Sequence, residues 1–454
     1  MNSKPLSQVD LIREAFHYQS RFEGSTMVFK IDFPVTADSA FPYLMKDLAL
    51  LAKTGFKVVI VPGAREYIDS ILDAQKIKAE RTLSADFPGP ARITSAKAIP
   101  FVEMAAFHVA TKYMTCLSGS RVDAVIGNFV RARGMGVVNG VDMEHTGTVD
   151  KIYANSLGRT LNLGMVPILP CIGWSPSGKP YNVPSEEIAL AAATALGAIK
   201  FFIVSAHGGL RAGAFSIPMG LETRDDGSMV RLSPQEAEAV LSANGIAATE
   251  TGNEQNQSLH ELSLAVRACR AGVDRVHIID GRVEGAVLKE LFSNLGAGTM
   301  IYTDEYESIR PLRSRDIPDV LRLMEPLMQT GFLIRRSLEQ IQEKKEDYVV
   351  FEIDSSIHAC GALHDWGENQ GEIAAIATDP MYTDLALGRR IVGCLIEKAR
   401  KTGMKRVFVL TTQTQDWFES IGFHETPVDS LPERKLRLYD HQRKSKIFAL
   451  DLNQ

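Results

Sequence analysis

One run, GEIAAIATDPMYTDLALGRRIVGCLIEKARKTGMKRVFVLTTQTQDWFESIGF from Gly371 to Phe423, leaves few folds open. Glu372 to Thr378 is apolar and short, as a buried strand requires, and Asp379-Pro380 stops it. From Gly388, the residues Ile391, Val392, Leu395, Ile396 and Ala399 recur at helical spacing until Lys401-Thr402-Gly403 closes the helix. Arg406 to Thr412, rich in Val and Leu, reads as a second strand, and Gln415 to Ser420 as a short helix before Gly422-Phe423. A helix whose first amides follow a strand is a ready anion site, because its unpaired N–H groups and its dipole favour phosphate. The run therefore predicts a pyrophosphate-bearing cofactor at the strand-to-helix turn.

These residues resemble the acetyl-CoA core of the GNAT acetyltransferase superfamily. There, Arg or Gln, two residues, Gly, one residue, and Gly or Ala cradle the pyrophosphate. Aligned on Gly388, the polar first position is Thr383 and the first glycine is Ala386, so this chain carries half of the loop. The closing WFESIGF, Trp417 to Phe423, is similar to that superfamily's second signature. The resemblance implies acetyl-CoA as cosubstrate, with the main chain of Ile376 and Thr378 pairing with its pantetheine arm as an added strand.

At 454 residues the chain calls for two or three domains. With 45% hydrophobic and 23% charged residues it buries sizeable cores and has no disorder signature. A net charge of -5 and no basic stripe with interleaved aromatics argue against nucleic acid. Arg434 to Lys446 is basic but brief, and reads as a solvated face. Five scattered cysteines form no CxxC or Cys/His spacing, so neither a metal site nor a disulfide framework is expected. No apolar run reaches ~18 residues and the first residues are polar and amphipathic, which predicts a soluble cytoplasmic protein without a membrane partner.

Before the acetyltransferase-like run, strands and helices alternate. Asp10 to Tyr18 reads as a helix, Met27 to Phe33 as a strand, Ala40 to Lys53 as a helix and Val58 to Val61 as a strand. A helix at Glu66 to Gln75 follows, and the pattern continues through Val122–Ile126, Val166–Ile168, Glu186–Leu196, Phe201–Val204, Ser258–Ala271 and Val276–Ile279. Such alternation favours a parallel sheet sandwiched by helices. From about Glu14 to Ile301 it resembles the amino acid kinase fold, acetylglutamate kinase branch, best in VDMEHTGTVDKI, YNVPSEEIALAAATALGA and HIIDGRVEGAVLKELFSNLGAGTMI. Kinases of that fold hold phosphates with a Gly-Gly pair after the first strand, where this chain has Asp32-Phe33. The second glycine-rich turn reads Pro62-Gly63-Ala64-Arg65, and the catalytic Asp aligns with Ala206. An aspartate facing a triphosphate adds several kcal/mol of repulsion in a poorly solvated site. The kinase chemistry is thus expected to be lost, with Lys30 a surface lysine at a strand end. Tyr302 to Glu307 reads as a linker, followed by a strand from Ile309-Arg310 and a helix capped by Asp316, with Ile317, Val320, Leu321 and Met324 on one face. The expected domains are 1–302, amino acid kinase-like and regulatory, and 303–454, an α/β acetyltransferase of the GNAT type.

An amino acid kinase-like domain joined to such an acetyltransferase resembles the N-acetylglutamate synthase family of the bacterial and plant type. The likeness is strongest in LIRRSLEQI, VFVLTTQTQDWFESIGF and LPERKLRLYDHQRKSKIF. It implies transfer of acetyl from acetyl-CoA to L-glutamate, feedback by L-arginine, and a hexameric homo-oligomer. Glutamate brings two carboxylates, which call for bidentate or multiple donors. Arg336, Arg443 and Ser445 lie where the family binds them, and His364 stands where some members have Lys. Glu372 matches the position of the base that deprotonates the amine. A backbone N–H near Ile376 or Ala377 meets the oxyanion, and Thr411 is the weaker choice as donor to the departing thiolate. Tyr18 belongs to interfaces, and Glu290 with the Gly296, Gly298 and Thr299 loop matches the arginine-site region. The residues leave two other readings open, an arginine sensor with a decayed acetyltransferase and acetyl transfer to a different amine.

Overall fold

The computed structural model describes residues 16, 19, 22–82, 91–213, 216–218, 221, 223, 224, 226–245, 254–292, 297–303, 307–353, 356–380 and 387–452. Tyr18, Gly296, Thr383 and Ala386, and most of the helix expected at Asp10 to Tyr18, lie outside the described residues. The chain forms two compact units, Lys4–Thr303 and Asp304–Gln454.

In the first unit the most apolar runs become the middle of a sheet. β1 (Thr26–Ile31) and β2 (Lys57–Pro62) are each buried at five of six positions, as parallel strands covered on both faces must be. With β3 (Ala124–Ile126), β4 (Val166–Ile168), β5 (Lys200–Ser205), β6 (Arg231–Leu232), β7 (Arg275–Asp280) and β8 (Gly298–Tyr302) they build an eight-stranded sheet. Its order is β6-β8-β7-β5-β1-β2-β4-β3, and only β8 runs antiparallel to its neighbour β7. One face packs on α1 (Phe41–Lys53), α2 (Arg65–Ala74) and α3 (Ile99–Gly119), the other on α4 (Ser185–Ala195) and α5 (Glu254–Arg270). The 21-residue α3 was not anticipated: it buries Val102, Ala105, Ala106, Val109, Ala110, Tyr113 and Leu117, and a helix apolar on most sides leaves no clear period to detect. A four-stranded sheet of Val130–Gly134, Gly147–Ile152, Ile172–Trp174 and Pro180–Asn182 completes this unit.

The second unit is a seven-stranded sheet in the order β9 (Glu307–Pro311), β10 (Tyr348–Ile353), β11 (Ser356–Asp365), β12 (Gln370–Thr378), β13 (Arg406–Thr411), β15 (Lys446–Asp451), β14 (His424–Thr426). Alternation divides its faces. Val349, Phe351, Ala359, Leu363, Ile373, Val407 and Val409 pack on α9 (Leu387–Lys401), whereas Tyr348, Val350, Cys360 and Ala362 pack under α7 (Ile317–Gln329). Asp316 stands at the N-cap of α7, yet its carboxylate accepts from Arg310 at 2.6 Å and from the Arg313 N–H at 2.8 Å rather than capping the helix.

Two irregularities in the central strands shape the site. Opposite Gly361 the register of β11 and β12 slips, so that Ala375 and Ile376 have no β11 partner, and Ala375 takes φ 56°. Such a bulge bends the strand and re-aims its groups. Beyond it, the only parallel contact of β12 with β13 spans Gln370–Glu372 against Arg406–Phe408. From Ile373 to Thr378 the two strands diverge, and the sheet opens into a wedge.

Candidate active site

The wedge presents backbone donors and acceptors of Ile373–Thr378 that have no partner on β13. A molecule with amide groups in an extended arm can supply the missing strand. At the wide end, Thr378 meets the start of α9 and Trp417 of α10 (Gln415–Ser420). A Cβ on Gly388 would lie 3.3 Å from the Trp417 ring and 3.8 Å from Thr378 Cγ2. Glycine there keeps the first amides of α9, a 15-residue helix, open toward the strand end. Thr411 closes β13. Its buried hydroxyl lies 2.7 Å from Thr414 Oγ1 and accepts from the Gln413 and Thr414 amides at 3.3 and 3.1 Å.

The narrow end gathers the titratable groups. His364 on β11 and Glu372 on β12 are direct cross-strand partners, on the same face of the sheet as Tyr348 and the cluster under α7. Glu372 is buried. Its Oε2 accepts from Trp366 Nε1 at 2.8 Å and from Lys435 Nζ at 2.6 Å, and its Oε1 accepts from Lys435 at 2.8 Å. Lys435 belongs to α11 (Glu433–Leu436), and its ammonium also sits 4.7 Å from the centre of the Trp366 ring. The tail therefore does not present a uniformly solvated basic face: Lys435 points inward because a buried carboxylate awaits it.

His364 places Nδ1 2.6 Å from Asp347 Oδ2. A carboxylate accepts, so Nδ1 carries the proton and Nε2 of the neutral ring is an acceptor. In that tautomer Nε2 offers a lone pair toward the site, and only the doubly protonated ring would donate to a substrate carboxylate. Burial pushes the His364 pKa below the ordinary histidine value, and Asp347 and Glu372 only partly oppose that.

Arg336 stands just before α8 (Leu338–Glu343), with Nη1 3.2 Å from the Ile334 carbonyl and its charge felt by Tyr348. Arg443 donates to the carbonyls of Phe332 at 2.7 Å and Gly331 at 3.3 Å, fastening the tail to the loop that carries Arg336. Ser445 is buried, and its carbonyl accepts from Tyr439 at 2.6 Å. The structure thus gathers Glu372 and His364, and ties Arg443 to the Arg336 loop. Asp347, Trp366 and Lys435 were missed; a lysine and an aspartate distant in sequence from their partners carry no local signal.

In the first unit, Lys30 is buried, not superficial. It pairs with Asp32 and, at 3.3 Å, with Glu186. Burial disfavours its charge, but the carboxylates of Asp32, Glu186 and Glu261 outweigh that and raise its pKa. Glu290, on the helix Ala286–Phe292, lies 2.7 Å from His277 Nδ1 and accepts from the Ala297 N–H at 2.5 Å. Thr299 Oγ1 donates to the Met229 carbonyl at 2.5 Å and accepts from the Leu210 N–H at 2.8 Å. A Cβ on Gly298 would fall 2.0 Å from the Ile278 carbonyl, so glycine is needed for β8 to pair with β7. Among the described residues no group of three or more His, Cys, Asp or Glu is placed to hold a metal ion, and no helix is long and apolar enough to cross a membrane.

Residues 34–214 match the amino acid kinase family and residues 317–426 the GNAT acetyltransferase family. With the opened strand pair, this defines a GNAT-type acyltransferase joined to an amino acid kinase-like unit. The chain is 34% identical to the amino-acid acetyltransferase of Edwardsiella ictaluri, over 100% of both chains. It superposes on N-acetylglutamate synthase from Neisseria gonorrhoeae complexed with coenzyme A and L-arginine with TM-score 0.82 and 30% identity, covering 99% of this chain and 100% of that one. The same synthase complexed with coenzyme A and N-acetyl-glutamate gives TM-score 0.59 and 31% identity at the same coverage. The chain belongs to the amino-acid acetyltransferase family and is an acyltransferase of the N-acetylglutamate synthase type.

Proposed function

We propose that this chain moves acetyl from acetyl-CoA to the α-amino group of L-glutamate, and that L-arginine regulates it. The observation that carries the reading is the wedge between β12 and β13, open at one end to the start of α9 and closed at the other by His364, Glu372 and Lys435. A pantetheine arm completes β12 along Ile376 and Thr378, and its pyrophosphate meets the amides after Gly388, with Thr383 and Ala386 just before it in the sequence. The thioester then lies at the bulge, where an amide near Ile376 faces the developing oxyanion. The related synthase complexed with N-acetyl-glutamate supports glutamate as the acceptor.

Arg336, Arg443 and Ser445 hold the two carboxylates, and Glu372 draws the substrate ammonium by charge. Thr411 Oγ1 passes a proton to the leaving sulfur, for which thiol-level basicity suffices. The amino-terminal unit is regulatory and performs no phosphoryl transfer, because Asp32 and Glu186 put carboxylates around the one lysine a triphosphate would need. For arginine to use Glu290, its guanidinium must displace His277 or the Ala297 amide, which supplies a two-state element for coupling. A cytoplasmic homo-oligomer, hexameric with Tyr18 at interfaces, fits the family.

Thiol release by the purified full chain, assayed with acetyl-CoA and a panel of amines, tests the reading. Glutamate should exceed alanine by at least a hundredfold in kcat/KM; equal rates refute it. No ADP should form with ATP and N-acetylglutamate.

A further inference from the structure

The oxygens of Glu372 are already engaged by protein donors. Three hydrogen bonds from Lys435 and Trp366 occupy the two of them, with the Lys435 ammonium at 2.6 and 2.8 Å. Its cross-strand partner has the complementary features. His364 Nδ1 is anchored on Asp347 at 2.6 Å, and Nε2 makes no hydrogen bond to a described residue. The ring is also fixed edge-on to Tyr348, centroids 6.0 Å apart at 74°. Tyr348 and Asp347 are adjacent in the chain, so one turn positions both supports of the imidazole.

We propose that His364 Nε2 is the atom that takes the proton from the substrate amine, with Asp347 as its positioning residue. A buried imidazole fixed by a carboxylate on its other nitrogen is the arrangement by which a histidine becomes a general base. Asp347 fixes the tautomer and then stabilises the imidazolium. Glu372, paired with Lys435, is a second carboxylate whose charge His364 feels. Burial keeps the ring unprotonated at neutral pH, the state a base needs before each turnover. The charged or titratable groups around it are Asp347, Glu372, Tyr348 and Lys344, with Lys435 beyond Glu372 and Lys398 on the backbone of Asp347.

The step balances as follows. The α-ammonium gives one proton to His364 Nε2, and the freed nitrogen pair forms the C–N bond to the thioester carbonyl. The tetrahedral species expels sulfur, breaking the C–S bond. The second N–H proton goes to the thiolate through Thr411, yielding the amide and CoA thiol, and His364 returns its proton to water.

The inference rests on the glutamate reading above, and the pH dependence of kcat/KM for the full chain tests it. His364→Gln should lower kcat at least a hundredfold with KM for glutamate changed less than threefold, and the acidic limb of the profile should vanish. Added imidazole should restore part of the rate. Asp347→Asn should keep the limb but move it to lower pH, because a contribution that raises the His364 pKa is removed. A His364→Gln enzyme that retains the limb, or loses only glutamate affinity, overturns the assignment. If His364→Gln does not fold, an unmoved limb in Asp347→Asn overturns it instead. Wild-type protein that releases no thiol with glutamate would sink the glutamate reading, whereas active wild type with an unchanged variant profile sinks this inference alone.

Discussion

Lys435 and Glu372, 63 residues apart in the chain, share one buried contact in which Nζ reaches both carboxylate oxygens, at 2.6 and 2.8 Å. Their side chains are 12% and 9% exposed, so either charge alone is far worse off than the pair. The contact joins the tail helix to the central strand and fixes the carboxylate beside His364. The tail therefore anchors the strand residue that faces His364.

Lys435→Met should cost about 3 kcal/mol of stability, since it strands the Glu372 charge. Adding Glu372→Gln should recover much of that, because no uncompensated charge remains. Denaturant midpoints of the two single variants and the double variant give the coupling, and additive losses would show that the pair contributes nothing as a pair.

Gly388→Leu should abolish acetyl-CoA binding in calorimetry. Its Cβ alone comes within 3.3 Å of Trp417, and three further carbons fill the space in front of the first α9 amides. Gly388→Ala should weaken binding by less than tenfold. Unchanged affinity in the leucine variant would place the pyrophosphate elsewhere.

Arg336→Ala and Arg443→Ala should each raise KM for glutamate by tenfold or more with a smaller change in kcat, because each removes a donor for a carboxylate. Arg443→Ala should also loosen the loop at Gly331–Phe332, which it fastens, seen as faster amide exchange there.

Glu261→Gln should flatten the pH dependence of stability in the amino-terminal unit. Burial, with Asp32 adding to it, pushes the Glu261 pKa up to about 8 from an ordinary 4.5. A raised folded value means its contribution is fully present below about 4.5 and is lost as pH rises through about 8. Wild-type melting temperature should fall across that window, and the glutamine variant, still able to bond Ser205, should fall less.

The run from Gly371 to Phe423 was readable because each element has a strong period and sharp stops. Strand Gln370–Thr378 and helix Leu387–Lys401 fall within about two residues of their sequence bounds. Helix Ile99–Gly119 was not, since apolar residues off its buried stripe, such as the exposed Met104 and the half-buried Phe101, Phe107 and Met114, blur the period. The bulge at Ala375 leaves no mark in an alternating apolar strand, and the opening of β12 was implied only by the family resemblance, through the arm expected along Ile376 and Thr378. Lys30 and Lys435 share one misreading: composition counts charges but not partners. Both lysines are buried because carboxylates, Asp32 and Glu186 for one and Glu372 for the other, neutralise them.

The wedge has a consequence for the protein when it stands empty. Two central strands that stop pairing midway expose an internal sheet edge, the kind of surface that recruits a foreign strand. A cosubstrate bound there, as proposed above, is also a plug, and the unit gains stability by mass action, about 2.7 kcal/mol at a hundred times its Kd. Folding reserve and cosubstrate supply thus become linked, and unfolding midpoints should rise with acetyl-CoA concentration.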